Sequence, residues 1–172
     1  PDLQFVTHFQ SHLYPGVVDL QVNLFMARSR GSVKLASADP NVAPLIDPNY
    51  LADANDVRVT IAGIRKARDL ATMPALRNFL TGREVLPGPE LKSDAQLEAH
   101  CQAMGESCYH PSSTCRMGSD AMAVVDARLR VHGVAGLRVA DASVMPELPN
   151  GNTCAPTYMI AEKAADLILE AA

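Results

Sequence analysis

The sequence predicts an α+β fold in which an antiparallel sheet is flanked by helices. Short alternating strands come first, amphipathic helices follow, and a second group of short strands precedes one last helix. Strands and helices that are segregated along the chain, instead of alternating one by one, are typical of this class. No GxGxxG occurs in the 172 residues, so the phosphate-binding loop of a doubly wound dinucleotide domain is missing from the pattern.

Two alternating segments near the N-terminus predict a β-hairpin. Residues 17–26 and 32–37 alternate apolar and polar side chains, which is the period of a half-buried strand. The residues between them, Ser29-Arg30-Gly31, are typical of a turn. Residues 39–50 contain three prolines and therefore predict an extended loop.

Helices are predicted in the middle of the chain. Asp53 precedes a stretch whose apolar residues recur on one helical face, and this helix is expected to break near Met73-Pro74, before a second, short helix. Ser93 and Gln96 have the spacing of a capping box, which predicts a third helix that ends near Met104.

The last third of the chain changes texture after Gly118. Residues 124–126, 129–132 and 137–141 are short apolar runs separated by turn residues, and we expect three short strands there. The apolar stripe that follows predicts a final helix from Pro156 to Ala172.

Composition excludes several classes of protein. Hydrophobic residues make up 48% and charged residues 20% of the chain, an ordinary globular balance, and the net charge of −4 gives no electrostatic basis for binding nucleic acid. No apolar run approaches the ~20 residues of a transmembrane helix, and residues 1–4 do not begin a signal peptide. We expect a cytoplasmic protein. The sequence leaves open whether the full-length protein associates with a membrane and how many copies of the chain assemble. A chain that starts without Met looks like a piece of a longer protein or a processed product.

The four cysteines favour reduced thiols over a metal site. Cys108, His110 and Cys115 bring three possible zinc ligands together, but the chain has no CxxC and no second ligand pair. A disulfide scaffold is typical of shorter chains that are denser in cysteine. The sequence therefore predicts neither a metal nor a disulfide framework.

His110 is the strongest candidate for acid–base chemistry. It precedes a proline, which holds its backbone extended, and it lies among small polar residues instead of on an apolar face. An ordinary imidazole titrates near pH ~6.5 and can accept a proton at neutral pH. The other four histidines are interpreted as surface or structural residues.

A second polar segment precedes the final helix. Asn150-Gly151-Asn152 by itself is typical of a turn. Ala155, before Pro156, has no side chain that can cap a helix, so free backbone N–H groups at the helix start could meet an oxygen of a cofactor. Asp141 at a predicted strand end could bind a ribose or ribityl hydroxyl, or it could cap a turn.

Four motifs together resemble one known family. They are His110-Pro-x-x-Thr-Cys-Arg-Met-Gly, Arg130-Val-x-Gly-x-x-Gly-Leu-Arg-Val-x-Asp141-Ala-Ser, Asn150-x-Asn152-x-x-Ala-Pro-Thr157 and Gly31-Ser-Val-x-Leu-Ala-Ser-Ala-Asp-Pro40. The combination resembles the C-terminal part of the glucose–methanol–choline (GMC) flavoprotein oxidoreductases, and most closely their choline-dehydrogenase-like alcohol dehydrogenases. The resemblance implies an enzyme that oxidises a primary alcohol, choline-like or other, to an aldehyde by proton abstraction and hydride transfer to FAD.

The resemblance also implies roles for individual residues. His110 matches the histidine that accepts the hydroxyl proton, and Asn152 matches its amide partner. Cofactor contacts are implied for the residues Asp141, Ala142, Asn152, Thr153 and Pro156. Cys108 and Tyr109 are implied to face the substrate and the flavin.

One departure from the family shapes the expected organisation. Residues 1–115 resemble the substrate-binding domain, and residues 116–172 resemble the segment that returns to complete the FAD-binding domain, whereas the N-terminal nucleotide-binding half is absent. We therefore expect this chain alone to retain FAD poorly and to turn over little. The alternative is a non-catalytic binding or assembly module that keeps the fold without the flavin half.

Overall fold

Two small sheets and four helices make up the regular structure, which is given by a computed structural model that describes residues 2–8, 15–80 and 82–170. In chain order the elements are β1 (Leu3–His8), β2 (Asp19–Leu24), β3 (Ser32–Lys34), β4 (Leu45–Asp47), α1 (Ala54–Ala71), α2 (Pro74–Arg77), α3 (Asp94–Met104), a 3₁₀ turn (Ala142–Val144) and α4 (Cys154–Leu169). The α+β class predicted from the sequence is confirmed.

The chain divides into two compact units. The first, here the N-terminal unit, comprises Pro1–Gly31 and Asp47–Glu106, and the second, the C-terminal unit, comprises Ser32–Ile46 and Ser107–Ala172. All candidate site residues fall in the C-terminal unit. The boundary predicted between residues 115 and 116 stays a prediction.

The sheet of the N-terminal unit pairs β1 with β2 in antiparallel register, from Leu3 opposite Leu24 to His8 opposite Asp19. Helix α1 packs on this sheet at Gly63, where an added Cβ would collide with the side chain of Val22. The absence of a side chain at this position lets the helix approach the strands closely.

The hairpin predicted between residues 17–26 and 32–37 is wrong. β2 pairs with β1, and β3 pairs with β4. The physical reason lies in the connecting segment, where the backbone N–H groups of Arg28 and Ser29 donate to the carboxylate of Asp56 in α1. A segment whose amides are bound by a helix cannot also close a tight turn between two strands. The loop predicted over residues 39–50 likewise contains β4.

The predicted starts of the helices in the N-terminal unit are confirmed. The side chain of Asp53 caps α1 by accepting from the N–H of Asn55 at 2.7 Å. α3 begins with the expected capping box, in which Gln96 N–H donates to the Ser93 hydroxyl and the Gln96 side chain accepts from the Ser93 N–H. α2 follows the predicted break and begins at Pro74.

The three strands predicted between residues 124 and 141 are wrong. That stretch contains isolated bridges, Val125 with Val131 and Arg130 with Arg138, instead of continuous ladders. The reason is that the Asp126 carboxylate accepts from the N–H groups of Arg128 and Arg130, at 2.8 and 3.0 Å, which folds the chain back on itself. These contacts replace the extended backbone that a strand requires.

The core of the C-terminal unit lies between the bridged segment and α4. It contains Val125, Leu129, Val144, Met145, Ile160, Ala164 and Leu167. α4 begins at Cys154, two residues before the predicted start, and the last two residues of the predicted helix, 171–172, lie outside the described part of the chain. Among the described residues, no helix is long and apolar enough to cross a membrane.

Candidate active site

A hydrogen bond joins His110 to the residue that precedes α4. The hydroxyl oxygen of Thr153 lies 2.8 Å from Nδ1 of His110, although 43 residues separate them in the sequence. Thr153 is only 8% exposed, whereas His110 is half-buried. One edge of the imidazole is therefore fixed by a buried hydroxyl, within a residue that is partly exposed.

The loop after His110 is held by a ladder of backbone hydrogen bonds to the 3₁₀ turn. The bonds are Ser113 N to Ala142 O at 3.3 Å, Cys115 N to Ser143 O at 2.9 Å and Met117 N to Val144 O at 2.9 Å. Val144 is fully buried in the core that also contains residues of α4. The sequence therefore places His110 and the start of α4 against the same buried scaffold.

The two residues before His110 are exposed, and one of them has a strained backbone. Tyr109 has a left-handed backbone (φ 60°), its N–H donates to the Ser107 hydroxyl at 2.9 Å, and its side chain is 84% exposed. A left-handed backbone at a bulky residue costs ~1–3 kcal/mol and is often found at functional sites. Cys108 is also exposed. Both residues implied to face substrate thus lie at the surface beside His110.

The first turn of α4 begins without a side-chain cap. Thr153 occupies the N-cap position, and its hydroxyl contacts His110 instead of an amide of the helix. Cys154 and Ala155 are the first two helical residues, and the half-buried Pro156, expected to open the helix, is the third. The structure confirms a helix start without a side-chain cap, but the N-cap residue is Thr153 and not Ala155.

Asp141 caps the 3₁₀ turn. One of its carboxylate oxygens, Oδ1, accepts from the Ser143 N–H at 2.8 Å and also from the Ser143 hydroxyl. Of the two roles left open by the sequence, the structure therefore shows the cap. Asp141 is exposed and Ala142 is half-buried, and contacts of either residue with a cofactor stay predictions.

Asn152 is exposed and directly precedes Thr153. No hydrogen bond joins its amide to His110 among the described residues; the partner of His110 in the structure is Thr153. That Asn152 and His110 act on the same substrate atom is implied by the resemblance of the motifs, and it stays a prediction.

All four cysteines are described and none forms a disulfide, and no group of three or more His, Cys, Asp or Glu side chains in the described residues could hold a metal ion. Burial raises the pKa of the Cys101 thiol. His132 is exposed and its Nε2 lies 3.1 Å from the Gly118 carbonyl, while His12 lies outside the described residues.

Sequence reasoning named Thr153 as a cofactor contact and missed its bond to His110. A threonine before a helix is ordinarily interpreted as a cap, because its hydroxyl accepts from an N–H two or three residues later. The one available signal was Pro156, which lacks an N–H at the third helical position. That signal becomes readable only when the helix is known to begin at Cys154.

Comparison with known proteins agrees with the motifs. The GMC oxidoreductase family model matches residues 27–161. An oxygen-dependent choline dehydrogenase of Paraburkholderia phymatum is 54% identical over 140 residues, which are 81% of this chain and 24% of that protein. An alcohol dehydrogenase [acceptor] of Pseudomonas putida is 47% identical over 144 residues, or 84% of this chain and 26% of that protein.

Solved structures give the same result. Formate oxidase superimposes with a TM-score of 0.85 at 30% identity, over 98% of this chain and 31% of that one. Pyridoxine 4-oxidase from Mesorbium loti superimposes with a TM-score of 0.78 at 33% identity, over 89% of this chain and 30% of that one.

The chain spans about a quarter of the length of the curated relatives it matches. The family match covers most of the chain, including both segments that carry the His110–Thr153 pair. The resemblance inferred from the motifs is confirmed, and the chain belongs to the GMC oxidoreductase family.

Proposed function

We propose that this chain is the C-terminal portion of an FAD-dependent enzyme that oxidises a primary alcohol to an aldehyde. The observation that carries the proposal is the His110–Thr153 hydrogen bond, which leaves Nε2 as the ring nitrogen available to a substrate. The choline and alcohol dehydrogenases among its relatives support the reaction class.

In this proposal His110 accepts the proton of the substrate hydroxyl. The O–H bond of the alcohol breaks and an N–H bond forms at Nε2, while Nδ1 stays bonded to Thr153. A positioned base of this kind contributes ~10²–10⁴ in rate. The half-buried ring suits the role because it is fixed at one edge and reachable at the other.

Asn152 is proposed to hold the substrate oxygen. Its exposed carboxamide can donate a hydrogen bond to the oxygen as negative charge develops there. Asn152 directly precedes Thr153, so both groups that act on the hydroxyl are placed by the start of α4.

The residues present fit the isoalloxazine part of FAD. Because no side chain caps α4, the N–H groups of Cys154 and Ala155 offer the positive end of a helix dipole to a carbonyl oxygen. Oδ1 of Asp141 caps the 3₁₀ turn. The other carboxylate oxygen of Asp141 can accept a hydrogen bond from a ribityl hydroxyl of FAD. Bound FAD would supply the hydride acceptor for the carbinol carbon. Residues 141–142 and 152–156 would hold it.

The substrate class is proposed to be a choline-like or simple primary alcohol. The printed names of two relatives are choline and alcohol dehydrogenases. A quaternary ammonium is recognised by aromatic faces, and the exposed ring of Tyr109 lies next to His110 in the sequence.

Within the whole enzyme, residues 1–115 are proposed to belong to the substrate-binding domain and residues 116–172 to the FAD-binding domain. The chain contains no GxGxxG, so the pyrophosphate of FAD needs a phosphate-binding loop from another portion. We therefore expect the 172-residue chain alone to retain FAD poorly. Stoichiometric FAD on the purified chain would contradict this expectation.

The experiment that tests the proposal measures alcohol oxidation by the FAD-loaded enzyme that carries this segment, with an artificial electron acceptor. Choline and its neutral carbon isostere, 3,3-dimethylbutan-1-ol, form a matched substrate pair that separates recognition of the hydroxyl from recognition of the ammonium. We expect aldehyde formation from at least one of them. Bound FAD with no oxidation of these or other primary alcohols would refute the proposal and favour the binding-module alternative.

A matched pair of variants tests the role of Asn152. Asn152→Ala removes the proposed donor to the substrate oxygen, and we expect kcat to fall by ~10²-fold or more, as for other donors to a developing oxyanion. Asn150→Ala removes an exposed amide from the same turn and should leave kcat near the wild-type value. Equal effects of the two substitutions would assign the loss to the turn and not to the amide.

A further inference from the structure

The contact between His110 and Thr153 bears on which nitrogen of the ring carries the proton. A neutral imidazole has one N–H, on Nδ1 or on Nε2, and the partner of one nitrogen decides between the two tautomers. Thr153 lies at Nδ1. A base that acts through Nε2 requires the proton to be on Nδ1.

We propose that Thr153 is a positioning residue: its hydroxyl oxygen accepts a hydrogen bond from Nδ1–H of His110 and so keeps the Nε2 lone pair available for a proton. This inference rests on the proposed function, because it concerns the same site. The hydroxyl of Thr153 acts through His110 and contacts neither substrate nor the reacting atoms.

The start of α4 explains why this hydroxyl is available. An N-cap threonine ordinarily accepts from the N–H of the second or third helical residue. Here the third residue is Pro156, which has no N–H, and the hydroxyl of Thr153 makes no cap. Pro156 therefore removes one of the two amides that the hydroxyl of Thr153 could cap, and the hydroxyl contacts the imidazole instead.

Thr153 is also rigid enough to orient a ring. Its carbonyl accepts from the N–H and the hydroxyl of Thr157, at 3.0 and 2.7 Å, which ties its backbone to the first turn of α4. Its side chain is β-branched and only 8% exposed, so few rotamers are open to it. A fixed acceptor at Nδ1 fixes both the tautomer and the plane of the imidazole.

The same contact serves both protonation states of the base. When Nε2 takes the proton of the substrate hydroxyl, the ring becomes an imidazolium with N–H groups on both nitrogens. Nδ1–H keeps donating to the Thr153 oxygen, so this step needs no rearrangement at Nδ1. No electrons are transferred in the step, which moves one proton from oxygen to nitrogen.

The test is the tautomer of His110, read by ¹⁵N NMR of the 172-residue chain with labelled histidine rings at about pH 9, where ordinary imidazoles are neutral. The chain has five histidines, and His110→Gln identifies the signal. We expect the proton on Nδ1 in the wild type and in Thr153→Ser, which keeps the hydroxyl. Thr153→Val should give a mixture of tautomers. Thr72→Val removes an exposed hydroxyl that donates to the Asp69 carbonyl and does not contact His110, so it should leave the tautomer unchanged.

Kinetics of the FAD-loaded enzyme supply a second readout. Thr153→Val should lower kcat by about 10- to 100-fold and change KM by less than about twofold, because the hydroxyl orients the base without binding substrate. Thr153→Ser should restore most of kcat. A loss of kcat that serine does not restore would contradict the role of the hydroxyl.

Two results overturn the inference: a wild-type ring with its proton on Nε2, or a tautomer that Thr153→Val leaves unchanged. If Thr153→Val fails to fold, the wild-type tautomer and Thr153→Ser still decide. In a further outcome, the tautomer behaves as expected while His110→Ala keeps full turnover. In that case Thr153 does set the tautomer of His110, but His110 is not the base.

Discussion

The carboxylate of Asp56 accepts hydrogen bonds from both the N–H and the hydroxyl of Ser29, at 2.7 and 2.6 Å. The N–H of Arg28 donates to the same carboxylate at 2.9 Å, and Asp56 is only 1% exposed. The Ser29 hydroxyl in turn accepts from the N–H of Asp53, the N-cap of α1, at 3.1 Å. One buried carboxylate therefore fastens the segment after β2 to the first turn of α1.

Removing this carboxylate should destabilise the protein. Asp56→Ala leaves the N–H groups of Arg28 and Ser29 without their acceptor, and we expect a loss of about 2–4 kcal/mol in the free energy of unfolding. Asp56→Asn keeps one acceptor oxygen and should lose less. Urea unfolding followed by circular dichroism measures both. Asp69→Ala removes an exposed carboxylate from the same helix and should stay within about 0.5 kcal/mol of wild type; an equal effect of the two alanine variants would contradict the assignment.

The same carboxylate should make stability depend on acid pH. Burial alone would raise the pKa of Asp56, but the hydrogen bonds from Ser29 and from the Arg28 N–H outweigh it and hold the pKa below 3.8. A lowered folded pKa means that the stabilisation is complete above the ordinary value and is lost as the pH falls through the folded value. The difference in Tm between wild type and Asp56→Asn should therefore be constant above about pH 5 and shrink as the pH falls from there to about pH 2. A difference that stays constant over that range would contradict the assignment.

Lysine at position 68 should stabilise the protein less than Arg68 does. Its guanidinium donates to both carboxylate oxygens of Glu84 and to the carbonyls of Gly88 and Leu91, at 2.9–3.2 Å. An ammonium cannot reproduce this planar fork, so Arg68→Lys should lower the free energy of unfolding by about 1–2 kcal/mol. It should also speed limited proteolysis between residues 82 and 91. Arg58→Lys, on an exposed arginine with a single contact to a side chain, is the matched control and should change neither quantity.

Two carboxylates in the C-terminal unit, those of Asp120 and Asp126, each have a pKa that is lowered by a different arginine. The side-chain hydrogen bond from Arg130 is the main reason that the pKa of Asp126 is lowered to about 2, and Arg116 lowers the pKa of Asp120 to about 2 in the same way. Arg130→Gln should raise the pKa of Asp126 without restoring its ordinary value, because two backbone N–H groups still donate to it.

Carbon-13 NMR of the carboxyl groups against pH reads both residues in one sample. Arg116→Gln should raise the pKa of Asp120 and leave that of Asp126 in place, and Arg130→Gln should do the reverse. If either substitution changed the pKa values of both carboxyls equally, the change in net charge would explain the shifts. The hydrogen bond within each Arg–Asp pair would then not be their cause.

Local chemistry explains which elements could be predicted. Asp53 and Ser93 predict helix starts because each capping side chain and the N–H that it accepts from lie within four residues of one another. Both helix starts are found in the structure. The partner of β2 could not be predicted in this way. Its choice of β1 depends on a register along six residues and on a connecting segment whose amides are bound by Asp56, 27 residues after Ser29.

The candidate site shows the same limit. His110 is conspicuous in the sequence because a proline follows it and small polar residues surround it. Its partner is 43 residues away. The absence of a cap by the Thr153 hydroxyl depends on a helix that begins at Cys154, whereas the sequence predicts a start at Pro156. The two-residue difference in the helix start therefore hid the contact between Thr153 and His110.

The measurement that tests the central claim most directly is the anaerobic rate at which a primary alcohol reduces bound FAD in the enzyme that carries His110→Ala. If His110 takes the hydroxyl proton, this rate falls by ~10²–10⁴ while FAD stays bound, and added imidazole restores part of it. His132→Ala, which removes an exposed imidazole of the same unit, should keep the wild-type rate. Reduction of FAD at a near-normal rate in His110→Ala without imidazole would show that another group accepts the proton.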